Sequence, residues 1–311
     1  MTNFIQGFKI IFPIFFIMGI GYFSKQKGLI SKGFIDGATK LVFYFALPVS
    51  LFLDVVMEEE IDFNPKYIAF IIGGILFTFF LALLIGNIFI KDKRKLTAFV
   101  HTAFRGNFVY VGFPIIFGIL GELAPSESVP IIAFGITVYN LLAISMLTYY
   151  HSDKVNVGEF ILKVVTNPMI IATILGFLMR VIHYIPQGMI FESLNMLSKL
   201  ATPLALILIG GSLDFRVTKE DRKIIYLSAV YKDILMPLII MPAAILLGFN
   251  REELVVTYVF FAVPPAINTF LYAKKMGSDY KLTSQILATA FALSMFTFTL
   301  GIGIFKHLKI F

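Results

Sequence analysis

The feature that most constrains this chain is its succession of long apolar runs separated by short polar connections. By hydropathy the runs fall at about residues 8–23, 33–56, 67–90, 96–120, 128–150, 160–182, 189–212, 224–248, 253–273 and 282–305. A run of about 20 apolar residues spans a bilayer when it is helical, and helix satisfies each backbone polar group where no water can. The pattern therefore predicts an all-α polytopic membrane protein with about ten transmembrane helices. A mean hydropathy of +0.88, with 58% hydrophobic and only 14% charged residues, excludes an ordinary soluble domain. The opening stretch MTNFIQGFKIIFPIFFIMGIGYF has neither the basic leader nor the cleavage site of a secretory signal, so it reads as the first span.

The net charge of +7 does not point to nucleic acid, because the basic residues lie in short runs between apolar segments. Sixteen Lys and Arg fall on the odd-numbered connections, among them Lys91, Lys93, Arg94 and Lys95, and six on the even side. The connection from Met57 to Lys66 instead carries Glu58, Glu59, Glu60 and Asp62. Cytoplasmic connections are enriched in Lys and Arg, so this split predicts odd loops inside and both termini outside the cell membrane. The chain has no cysteine, which excludes disulfides and thiolate chemistry. It contains no phosphate-binding loop of the G-x-x-x-x-G-K-S/T kind, no G-x-G-x-x-G, no H-E-x-x-H and no nucleophile elbow. Neither an enzyme nor a bound cofactor or metal is implied.

Two of the runs are interrupted by residues that a simple span would avoid. The fourth, LTAFVHTAFRGNFVYVGFPIIFGIL, carries Arg105, Gly106, Asn107, Gly112 and Pro114. The ninth carries Val263-Pro264-Pro265-Ala266-Ile267-Asn268. A guanidinium at mid-depth costs several kcal/mol in hydrocarbon, and proline removes a helix donor. Both runs therefore read as broken helices lining a polar cavity, and paired interruptions, one in each half, point to the substrate site of a secondary transporter. Five spans per half require the halves, residues 1–152 and 153–311, to enter the membrane in opposite senses. A faint echo accompanies this: Ala46-Leu47-Pro48 running to Asp54 resembles Ala201-Thr202-Pro203 running to Asp214.

Arg105-Gly106-Asn107 followed by Gly112-Phe113-Pro114-Ile115 resembles the fourth-helix signature of the auxin efflux carrier family. Pro264-Pro265-Ala266-Ile267-Asn268-Thr269-Phe270 and the loop Ala273 to Asp279 are similar to its ninth helix and the loop after it, and Lys232 before Pro237 echoes its eighth. The long cytoplasmic loop of the plant members is absent, so the likeness is to compact prokaryotic members. It implies two inverted five-helix repeats with helices 4 and 9 crossing at mid-membrane. It further implies a scaffold of spans 1, 2, 6 and 7 able to form a homodimer, a moving unit of spans 3–5 and 8–10, and elevator-type transport.

At such a crossing, the half-helix ends leave backbone N–H groups that can seat a carboxylate, helped by the helix dipole. Asn107 and Asn268 add side-chain amides, and Pro114, Pro264 and Pro265 keep the break in place. Arg105 either supplies positive potential for an anionic substrate or ties down freed carbonyls. Asp233, the acid well inside a span, is a candidate proton-coupling carboxylate with Lys232 as regulator or substrate contact; the alternative is a buried ion-pair network with Lys199 or Lys40. Tyr139, Asn140, Ser145 and Gln285 either line the cavity or join helices, and His101 reads as a surface or packing residue. The expected function is secondary transport of a small organic anion, a carboxylate in particular, across a lipid bilayer. A membrane sensor or channel-like protein without coupled transport is the other reading.

Overall fold

The computed structural model describes residues 2–57, 64–120, 131–151, 158, 162, 166, 168–182, 184–213, 215 and 219–311. The acidic residues Glu58, Glu59, Glu60 and Asp62 lie outside these, as do Asp214, Lys154, Lys163, Arg216, most of the connection 151–159 and the opening of the fifth and sixth expected spans. The described residues are almost entirely helical, joined by short connections: α1 (Thr2–Gln26), α2 (Lys32–Leu41), α3 (Leu47–Met57), α4 (Pro65–Phe89), α5 (Lys93–Phe104), α6 (Phe113–Leu120) and α7 (Ile136–His151) come first. They are followed by α8 (Pro168–Val181), α9 (Gly188–Ser212), α10 (Arg222–Val230), α11 (Met236–Leu246), α12 (Arg251–Ala262), α13 (Asn268–Lys275) and α14 (Tyr280–His307).

Among the described residues, six helical stretches are long and apolar enough to cross a membrane: Gly7–Gln26, Lys32–Met57, Pro65–Phe89, Gly188–Ser212, Arg222–Leu246 and Tyr280–His307. The other expected spans are occupied by shorter pieces: α5 with α6, α7, α8, and α12 with α13. Phenylalanines make the outer surface: Phe8, Phe12, Phe16 and Phe23 project from one face of α1 and are exposed, as an apolar solvent requires.

Local sequence explains how prolines are carried inside these helices. Pro48, Pro114 and Pro237 each stand two residues after a π-helical turn, Val42–Ala46, Phe108–Gly112 and Tyr231–Leu235 respectively. The residue just before each proline donates its N–H five residues back: Leu47 to Val42, Phe113 to Phe108, Met236 to Tyr231. The wider turn makes room for the ring where an α-helical register would drive it into a carbonyl. Gly112 and Pro114 thus belong to a helical turn, and the break in the fourth run lies upstream, at residues 105–107.

Two packing regimes hold the bundle. On one side α1 runs against α9, and α9 and α8 against α3. Here Gly21 lies on the carbonyl of Ile207, and Gly210 on the carbonyl of Met18, so closely that a methyl group at either glycine would overlap backbone. Small residues that let backbones touch are how helices associate without a hydrophobic driving force. On the other side α4, α5, α10, α11, α12 and α14 pack around the breaks through polar pins. The Tyr231 hydroxyl donates to the Thr78 carbonyl at 2.6 Å, and Thr102 and Ser228 share a 2.9 Å hydrogen bond. At one end, Glu253 closes a capping box with Asn250 and accepts from Asn64 Nδ2 at 2.7 Å, which ties the start of α12 to the start of α4.

Candidate functional site

The two interrupted runs meet. After α5 ends at Phe104 the chain leaves the helix at residues 105–107, and after α12 ends at Ala262 it does so at residues 263–267; the two segments pass antiparallel with Gly106 opposite Pro265. Asn107 N–H donates to the Pro264 carbonyl at 2.8 Å, and Ala266 N–H donates to the Arg105 carbonyl at 3.1 Å. The prolines carry no N–H, so they offer only carbonyls to this pairing. Two N–H groups and two carbonyls released by the breaks thus satisfy each other across the crossing.

Gly106 allows the approach. A Cβ there would sit 2.7 Å from a Val263 methyl, 3.1 Å from the Phe260 carbonyl and 3.1 Å from Lys232 Nζ. That lysine is 1% exposed and donates to the Phe261 carbonyl at 3.0 Å, capping the last turn of α12 just before its break. Lys232 therefore touches the crossing from behind.

In front is a cavity of about 80 Å³, lined by Arg105, Asn107, Asn268, Asn140, Tyr139 and Tyr272 together with Phe43, Tyr110 and neighbours. Arg105 is held in a fixed pose: Nη2 donates to Asn140 Oδ1 at 2.7 Å and the guanidinium carbon lies 5.3 Å from the centre of the Tyr272 ring. Among the described residues its Nη1 has no hydrogen-bond partner, and neither does Asn107 Nδ2, although Arg105 is 5% and Asn107 4% exposed. Asn268, the first residue of α13, is half-buried. Among the described residues no acidic one lines the cavity. The result is a small chamber with unfilled donors, one fixed positive charge and aromatic walls.

Other expected residues lie elsewhere. Gly112 sits in the π-helical turn, Pro114 in the first turn of α6, and neither lines the chamber. Asp233 is separated from the crossing: it lines a second, apolar cavity, and neither carboxylate oxygen has a partner. A network with Lys199 or Lys40 is not formed, because both are exposed on the outer surface. His101 is 1% exposed and stacks 6.0 Å from Phe104 and 5.8 Å from Tyr272, which makes it a packing residue. Tyr272 escaped sequence reading, since a tyrosine one turn after Asn268 carries no signal until Arg105 is seen on its face.

A family model described as "Membrane transport protein" matches residues 7–302, nearly the whole chain. This chain belongs to that family of transporters, the auxin efflux carriers. The carrier is also 26% identical over 300 residues to a protein named "Uncharacterized transporter MJ1031" from Methanocaldococcus jannaschii, with 94% of each chain covered. Membership makes it a multi-pass membrane transporter with a small-molecule substrate, and points away from an enzyme. The crossing is the candidate site within this carrier.

Proposed function

We propose that the protein is a secondary carrier of a small organic anion, a carboxylate, held at the crossing of the fourth and ninth spans. The observation that carries this is the pair of unfilled donors, Arg105 Nη1 and Asn107 Nδ2, facing a chamber without an acidic residue. A buried donor left unpartnered costs about 1–3 kcal/mol, and a carboxylate placed here removes that cost while neutralising the guanidinium. Asn268 completes the polar lining from the other half. Pro264, Pro265, Gly106 and Lys232 shape the crossing without touching the solute.

The chain's halves, residues 1–152 and 153–311, act as inverted repeats in this reading. Spans 1, 2, 6 and 7 form a fixed scaffold, supported by the backbone-to-backbone fit of α1 on α9, and this scaffold is the surface for a homodimer. Spans 3–5 and 8–10 carry the chamber across in an elevator motion, with both termini outside. Phe43, contributed by the second span, lines the chamber and forms part of the wall past which it slides. The test is counterflow in proteoliposomes with labelled small mono- and dicarboxylates. Exchange that depends on Asn107 and Asn268 is expected; absence of exchange for every anion, with folded protein in the vesicles, rejects the carrier reading in favour of a sensor.

A further inference from the structure

A second cavity, of about 660 Å³, lies between α11, α12 and α14 and is lined by Asp233, Tyr258, Pro237, Met241, Leu300 and Ile304, among others. Its volume falls within the ~300–1,000 Å³ of small-molecule sites, whereas the chamber at the crossing is much smaller. Its walls are almost wholly apolar, with a single acidic side chain. Asp233 is 2% exposed, and both its oxygens lack a hydrogen-bond partner among the described residues. Its neighbour Lys232 gives its amine to the Phe261 carbonyl and so faces the crossing. Tyr258, another residue of these walls, directs its hydroxyl at the Thr297 carbonyl at 3.4 Å.

A buried carboxyl group without donors is costly, and the cations among the described residues do not supply any. Leu238 and Leu246, 66% and 87% exposed, flank the cavity and leave it open toward the bilayer. A phospholipid tail could fill the apolar part, but its charged headgroup stays at the interface and brings no donor to Asp233. The occupant has to carry its own donor inward on an apolar body. We infer that this cavity is a binding site for a compact lipophilic primary amine, its ammonium on the Asp233 carboxyl and its hydrocarbon between α11 and α14. The site is separate from the proposed anion chamber and does not depend on it.

The experiment is equilibrium dialysis of the detergent-purified carrier against 4-phenylbutylamine and against 4-phenylbutanol, which has the same body without the charge. Saturable binding of one amine per chain is expected, with the alcohol at least tenfold weaker. Asp233→Asn should weaken the amine at least tenfold. Ile304→Trp, which fills the apolar end and leaves the acid in place, should do the same and decides the matter if the first variant does not fold. Equal affinity for amine and alcohol, unchanged amine binding in the folded variants, or no saturable binding to the wild type overturns the inference.

Discussion

Backbones touch backbones at two places in this molecule, and by opposite means. Where α1 meets α9, Gly21 and Gly210 bring two intact helices into contact, and each hydrogen bond stays within its own helix. At the crossing, two helices open and exchange hydrogen bonds, with Asn107 donating to Pro264 and Ala266 to Arg105. The first joint needs only the absence of side chains. The second needs prolines without N–H, a glycine at the closest point and Lys232 to occupy a freed carbonyl. Intact helices make a joint that is firm and chemically silent. Opened helices make one that turns polar side chains into a chamber, and that is where the proposed anion would sit.

The largest effect should come from breaking the silent joint. Gly210→Leu forces a side chain into the Met18 carbonyl, and α1 cannot retreat without leaving α14 as well. Loss of folded, monodisperse protein on size-exclusion chromatography is expected; a variant that purifies as the wild type does would show that the joint is adjustable. Second comes Asn107→Ala, which removes a donor without disturbing the backbone pairing. Substrate affinity should fall about 10–100-fold, matching the ~1.5–3 kcal/mol of a hydrogen bond to a charged group, while the unfolding temperature hardly changes. Third is Arg105→Lys. Charge is kept, but lysine has no planar fork and cannot both hold Asn140 and stack on Tyr272 while reaching a solute. A rise in KM of about tenfold, with folding intact, would separate geometry from charge; an unchanged KM would reduce Arg105 to a point charge.

Legibility followed the same division. The breaks were visible because Arg-Gly-Asn and Pro-Pro-Ala-Ile-Asn are improbable in a plain span, and the meeting of the two runs is what the family resemblance implied. Their register was hidden, since it depends on which carbonyl faces which N–H across the two halves. Gly112 and Pro114 looked like part of the break because proline opposes α-helix; a π-helical turn absorbs the ring, and no pattern in the composition announces such a turn. Lys232 and Asp233 were visible as buried charges, but the direction each takes is fixed by the turn at Tyr231–Leu235, which sends one to the crossing and the other to an apolar cavity. The α1–α9 joint was illegible, because Gly21 and Gly210 read in sequence as two glycines among 23.

The smallest predicted effect lies at the end of the bundle where α5 begins and α7 ends, and it asks whether the unit around the crossing is tied together outside the chamber. Thr97 Oγ1 lies 2.8 Å from His151 Nε2 and 2.9 Å from Ser278 Oγ, while Ser278 donates to the Arg94 carbonyl at 3.1 Å. One threonine thus links α5, the last residue of α7 and the loop before α14. Partial burial, and then the Arg94 guanidinium, hold the His151 imidazole below the usual histidine range, with Asp92 opposing. A folded-state value below the unfolded one means that the folded protein favours neutral imidazole. Its contribution is therefore fully present above the ordinary value near pH 6.5 and is lost as pH falls below it. Because the ring is largely solvated, the effect is small: an unfolding temperature lowered by roughly 1–2 °C between pH 7 and pH 5.5, beyond the change in His151→Gln. If His151→Gln and the wild type keep the same pH profile, protonation of His151 does not weaken the link to Thr97.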